Sequence, residues 1–178
     1  METTTSPLVE GGDTEGSVVV LAGAEDQVCY VGYAEGLDAN VDSVHANPAS
    51  TQCSAANGCG THIHSGTSCE SKDTQGGHWF NGPALLEKMG SADDPWLTLG
   101  YKSTTTEGTA WFGACALTGI TAKDAEDLPF IIHAEDGSRV SCGILKQAEE
   151  EDDNTGSSGF RVGGLWTLAM GVVAAWVW

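Results

Sequence analysis

The internal apolar runs of this chain are all short. They are rich in Val, Ile, Thr and aromatic residues, are separated by polar, glycine-rich stretches (24 Gly against 5 Pro), and show no convincing amphipathic helical period. β-Branched and aromatic side chains fit a pleated, half-buried surface, so this pattern confines the chain to strands joined by turns. We expect strands at 17–24, 27–34, 60–64, 96–102, 109–117, 128–133 and 139–145, with 96–102 and 109–117 paired across a polar turn and a helical turn or two over 83–89. Short strands at this spacing make an all-β antiparallel sandwich or barrel. A chain of 178 residues is enough for one such domain plus modest tails.

The ends differ in character from the domain expected at 17–146. Residues 1–16 are polar and glycine-rich with no period, and read as a disordered segment or linker. Residues 147–164 pass from the acidic run Glu149–Asp153 into a Gly/Ser-rich linker, and 165–178 form an apolar tail. A helical span needs about 20 apolar residues, so the tail is short for a permanent anchor. Small residues, a polar spacer and a terminal apolar segment instead give the layout of a glycosylphosphatidylinositol (GPI) attachment signal, with Asn154, Gly156 and Ser157 as candidate attachment sites. Either way a membrane is an expected partner, through the tail itself or through a lipid. A strand or helix packed on the domain fits poorly with so apolar a run after so polar a linker.

A formal net charge of −18, with five Lys and two Arg, excludes nucleic acid as a partner, because phosphate binding needs a basic face. Much of the negative charge lies in the N-terminal segment and in Glu149–Asp153, which reads as a solvated spacer. The six cysteines, at 29, 53, 59, 69, 115 and 142, form no Cys-x-x-Cys pair, so disulfides in an oxidising, extracellular compartment are expected rather than a zinc ribbon or a thioredoxin-type site. Met1–Pro7 is acidic and polar, unlike a secretion signal. Either the sequence is a fragment or one module of a longer secreted chain, or the protein is not secreted.

The chemistry concentrates in Gly60–Cys69, where His62 and His64 stand one residue apart on an expected strand. Strand side chains alternate, so these two face the same way and can grip one ion, while Ile63 points into the opposite layer. His78 follows in a loop beside Trp79 and Phe80, and His133 ends the run 128–133; His45 stands alone in a polar loop. Four imidazoles suit copper, which takes nitrogen ligands as Cu(II) and tolerates a changed geometry as Cu(I).

The segment Ile131–Leu145 resembles the C-terminal signature of the copper/zinc superoxide dismutases: a strand ending in His133, then Gly137-Ser138-Arg139, two residues, Cys142-Gly143 and two aliphatics. Gly60-x-His62-x-His64, Cys69 and Gly77-His78 precede it in that family's order, so the resemblance covers roughly 17–145, with the first strands matching loosely. It implies a Greek-key β-sandwich or barrel, with copper bound by His62, His64, His78 and His133. It also implies that Arg139 attracts and holds superoxide, and that a Cys69–Cys142 disulfide ties the loop carrying His78 to the strand carrying Arg139. Arg139 brings a permanent cation with a fork of donors. The other four cysteines allow three pairings, of which we expect Cys53–Cys59 as a loop staple and Cys29–Cys115 between strands.

Two departures narrow the resemblance. In zinc-containing members the third copper ligand also bridges to zinc, which takes two further His and an Asp from the following loop, yet this chain has no His between His78 and His133. The connection from His133 to Arg139 is also too short for the long electrostatic loop of those enzymes. We therefore expect copper and no zinc, as in the copper-only branch, whose members are secreted or tethered at cell surfaces. In that branch a carboxylate can orient the third histidine, and Asp93 and Asp94 are the candidates, a turn-forming role being their other reading. The implied activity is dismutation of superoxide to oxygen and hydrogen peroxide, with a copper donor as a further partner. The rival reading is a non-catalytic module that keeps the fold for adhesion or copper binding. A chordin-type domain shares the His-Ile-His-x-Gly string, but it explains neither Gly137–Gly143 nor the placing of His78 and His133.

Overall fold

The computed structural model describes residues 2–7, as backbone, and residues 13–43 and 52–147. Its strands are β1 (Glu2–Pro7), β2 (Glu15–Ala22), β3 (Gln27–Glu35), β4 (Thr61–Ile63), β5 (Ala110–Leu117), β6 (Pro129–His133) and β7 (Arg139–Ile144). Helical structure among the described residues is limited to α1 (Lys72–Gln75), α2 (Gly82–Met89) and a 3-10 turn at Ala122–Ala125. Every strand pairing is antiparallel, in the order β4-β6-β7-β1-β2-β3-β5. The fold is all-β, as the short β-branched runs imply.

β1 lies where a linker was expected. Its residues 2–5 pair with β2 and its residues 6–7 with β7, so one strand is shared by two sheets. Its sequence is polar, but Thr3, Thr4 and Thr5 are β-branched and suit extended backbone. Apolar periodicity does not reveal a strand of this kind.

Alternation builds the core. β2 turns Val18 and Val20 inward, β3 turns Val28 and Tyr30, and β5 turns Ala110, Phe112 and Ala116, all at most 8% exposed. Ile63, Phe130, Ile132 and Leu145 meet them from the other sheet, fully buried. Tyr30 packs edge-on against Phe130 with ring centroids 5.4 Å apart. Each such side chain contributes about 1.5–3 kcal/mol of burial. β6 is buried on both sides. Phe130 and Ile132 join the core, leaving Ile131 and His133 on the opposite face, where the loop after β4 crosses.

Residues 96–102 do not form the expected strand, and β5 pairs with β3 instead. Asp94 accepts the Trp96 N–H through Oδ1 (2.9 Å), Leu99 N–H donates to Trp96 O (3.0 Å), and Pro95 favours the bend. The segment keeps only the isolated bridge Gly60–Gly100. Trp96 and Tyr101 are its anchors: both are buried, and the Trp96 indole N–H donates to Trp79 O at 2.7 Å, while Leu97 faces solvent.

Three disulfides close the described structure: Cys29–Cys115 across the registered pair of β3 and β5, Cys53–Cys59 within one loop, and Cys69–Cys142 between the loop after β4 and β7. They fit an oxidising environment. Among the described residues no helix is long and apolar enough to cross a membrane. His45, the run 149–153, the attachment candidates Asn154, Gly156 and Ser157, and the tail 165–178 lie outside the described residues.

Candidate metal centre

The ligating atoms of His62, His64, His78 and His133 all lie within 4.8 Å of one another. Pairing of β4 with β6 sets His62 opposite Ile131. Alternation puts His62 and His64 on one face, while Ile63 is locked in the core. An isolated bridge joins His64 to His78 and brings in the loop histidine. The β6–β7 register shifts between Ile132 and His133, leaving Val140 as the extra residue on β7, and the His133 N–H donates to Gly60 O at 2.8 Å.

Each imidazole has one nitrogen committed to an acceptor. Nε2–H of His62 donates to Leu99 O (2.9 Å), Nδ1–H of His64 to Gly76 O (3.0 Å), and Nδ1–H of His133 to Gly137 O (2.9 Å). Carbonyl oxygens only accept, so these bonds fix the tautomers and leave a lone pair on the other nitrogen of each ring. Those other nitrogens, Nδ1 of His62, Nε2 of His64 and Nε2 of His133, are buried and have no hydrogen-bond partner. A buried polar atom without a partner is costly, and three converging on one point are what a bound cation would satisfy.

Burial lowers the pKa of His62 to about 2, with His78 and His133 adding to the effect, of His64 to about 3 and of His133 to about 4. The three rings are therefore neutral at physiological pH, as metal ligands must be. His78 is the least buried of the four, with 8% of its side chain meeting solvent.

Of the two carboxylates expected to orient His78, one does. Asp94 Oδ2 accepts from His78 Nδ1 at 2.6 Å while its Oδ1 holds the Trp96 N–H, so the carboxylate is fixed at both oxygens. Asp93 does not reach His78. Its Oδ2 accepts from the Ser91 hydroxyl at 2.5 Å, which is the turn-forming role. Asp94→Asn, which loses the charge, is expected to weaken metal binding by about 10–100-fold, read by competition with a chelator.

Arg139 pairs across from His133 in the β6–β7 ladder. Its Nη1 donates to Gln75 Oε1 (2.9 Å) and Lys72 O (3.1 Å), and its Nη2 to Gly76 O (2.8 Å). Gly76 O therefore serves both Arg139 and His64. Among the described residues no carboxylate forms an ion pair with Arg139, so its charge remains available.

Sequence reasoning missed the carbonyls of Gly76, Leu99 and Gly137, because backbone acceptors carry no side-chain signal. Two of them sit on glycines with positive φ, +72° at Gly76 and +85° at Gly137, where a Cβ would come within 2.8 Å of Gly66 N and 2.1 Å of Ala56 O. Gln75 was missed as well.

Neither a protein-family model nor a curated protein matches this sequence.

Proposed function

We propose that the protein is a superoxide dismutase of the copper-only branch, built on that family's Greek-key barrel and converting superoxide to oxygen and hydrogen peroxide. One observation carries the proposal: three sealed, unpartnered imidazole nitrogens converge with His78 beside an arginine that no described carboxylate neutralises. Copper, when bound by His62, His64, His78 and His133, supplies one-electron exchange with superoxide in both directions.

The chain's own residues supply the rest. Four neutral imidazoles are a donor set that both copper oxidation states accept. Asp94 holds His78, the least buried of the four, in one tautomer and one orientation, the task that a second metal performs in zinc-containing members of that family. Arg139 attracts and holds the small anion. The formal charge of −18 opposes that attraction, but screening over about 8 Å leaves the local cation dominant. The three disulfides support an extracellular setting, and we place the protein at a cell surface, tethered either by a GPI-type lipid that replaces 165–178 or by that tail itself.

The test is superoxide decay, followed by stopped flow, with copper-reconstituted full chain. We expect one copper per chain and catalytic decay, slowed about tenfold or more in Arg139→Ala at low ionic strength, with a smaller gap at high salt. Copper bound without catalysis, unchanged in Arg139→Ala, would leave a copper-binding or adhesion module and sink the enzyme.

A further inference from the structure

We infer that Gln75 is a positioning residue, which aims Arg139 and keeps its charge unspent. This rests on the reading of Arg139 as the anion-holding group and adds to it the residue that sets its affinity. Gln75 is 1% exposed although it ends the short helix α1, whose other residues are polar and largely exposed. A buried amide must place both its ends. Its Nε2 donates to Cys69 O at 3.3 Å, and its Oε1 accepts from Arg139 Nη1 at 2.9 Å. The backbone is held as well: Gln75 N–H donates to Ser71 O and Gly66 N–H donates to Gln75 O.

Among the described residues the acceptors of Arg139 are neutral, two carbonyls and this one amide. The choice of residue matters because the two carbonyls are backbone and cannot be varied. A glutamate at 75 could accept from Arg139 equally well, but it would cancel the charge that an incoming anion needs. Glutamine fixes the guanidinium without neutralising it. The next residue, Gly76, extends the same clamp to the metal centre through the carbonyl shared by Arg139 and His64. Gln75 is therefore placed to hold the cation at a fixed offset from the ligand set.

The test uses azide, a small monovalent anion, titrated into copper-loaded full-chain protein and followed by the Cu(II) visible spectrum at two ionic strengths. Gln75→Met, close in size but unable to accept from Arg139, is expected to raise the azide dissociation constant about five- to tenfold, the loss of one hydrogen bond to a charged group. Gln75→Glu is expected to raise it at least as much and to flatten its salt dependence, because the carboxylate pairs with Arg139; a residue needed only for folding would not change that salt dependence. Either variant binding azide with wild-type affinity and salt dependence overturns the inference. Arg139→Met is the separate control. If it leaves azide affinity unchanged, the role read for Arg139 itself has failed, whereas a weakened Arg139→Met beside wild-type-like Gln75 variants convicts the inference alone.

Discussion

Copper added to the metal-free protein at about a thousandfold above its dissociation constant is expected to raise the thermal unfolding midpoint by about 10 °C. Binding to the folded state alone at that excess adds about 4 kcal/mol, and each kcal/mol moves the midpoint of a domain this size by about 2–4 °C. The metal satisfies three buried nitrogens that otherwise have no partner. His62→Leu separates this effect from general packing. It removes one of those nitrogens, at the expense of freeing the carbonyl of Leu99, and breaks the ligand set. The variant's metal-free melting point should therefore stay within a few degrees of the wild type's, while its copper-induced rise should largely vanish. An undiminished rise in His62→Leu would place the metal elsewhere. Zn(II) titrated in parallel tests the choice of metal, since a closed set of imidazoles can also take zinc.

The metal-free protein is also expected to be acid-labile well above the range where carboxylates titrate. His62, His64 and His133 have folded-state pKa values lowered by burial to about 2, 3 and 4, from an ordinary value of 6.5. Below pH 6.5 the unfolded chain therefore binds protons that the folded chain refuses, and stability falls as pH falls. The loss begins near 6.5 and continues until the folded-state values are reached. Each group costs about 1.4 kcal/mol per pH unit in that window. At pH 5.5 the three together cost up to about 4 kcal/mol, partly offset as the acidic surface repels itself less. Urea midpoints of the metal-free protein at pH 7.5 and 5.5 check this. A midpoint that holds steady or rises towards pH 5.5 contradicts the buried, neutral state of these rings.

The sequence by itself determined the fold class, because β-branched runs too short for helices leave no other way to bury Val18, Val20, Val28, Phe130 and Ile132. It also determined the pairing of His62 with His64, since strand alternation forces both to one face, and through the family resemblance it pointed to Arg139 and to Asp93 or Asp94. It missed β1, whose threonines carry no apolar signal, and it read Trp96–Lys102 as a strand, where the Asp94 and Pro95 turn uses Trp96 and Tyr101 as anchors.

Only the tertiary structure decided how the centre is held. The choice between Asp93 and Asp94 depended on which carboxylate the turn aims at His78, a difference of one residue that turn chemistry leaves open. The carbonyls of Leu99, Gly76 and Gly137 fix which nitrogen of each ring stays free, and every residue owns such a carbonyl, so no side chain announces them. The setting of Arg139 likewise became visible only when the loop folded back over β7 and brought Gln75 against it. Composition and alternation supply the donors; the closure of distant segments on one another decides which atoms are left to bind.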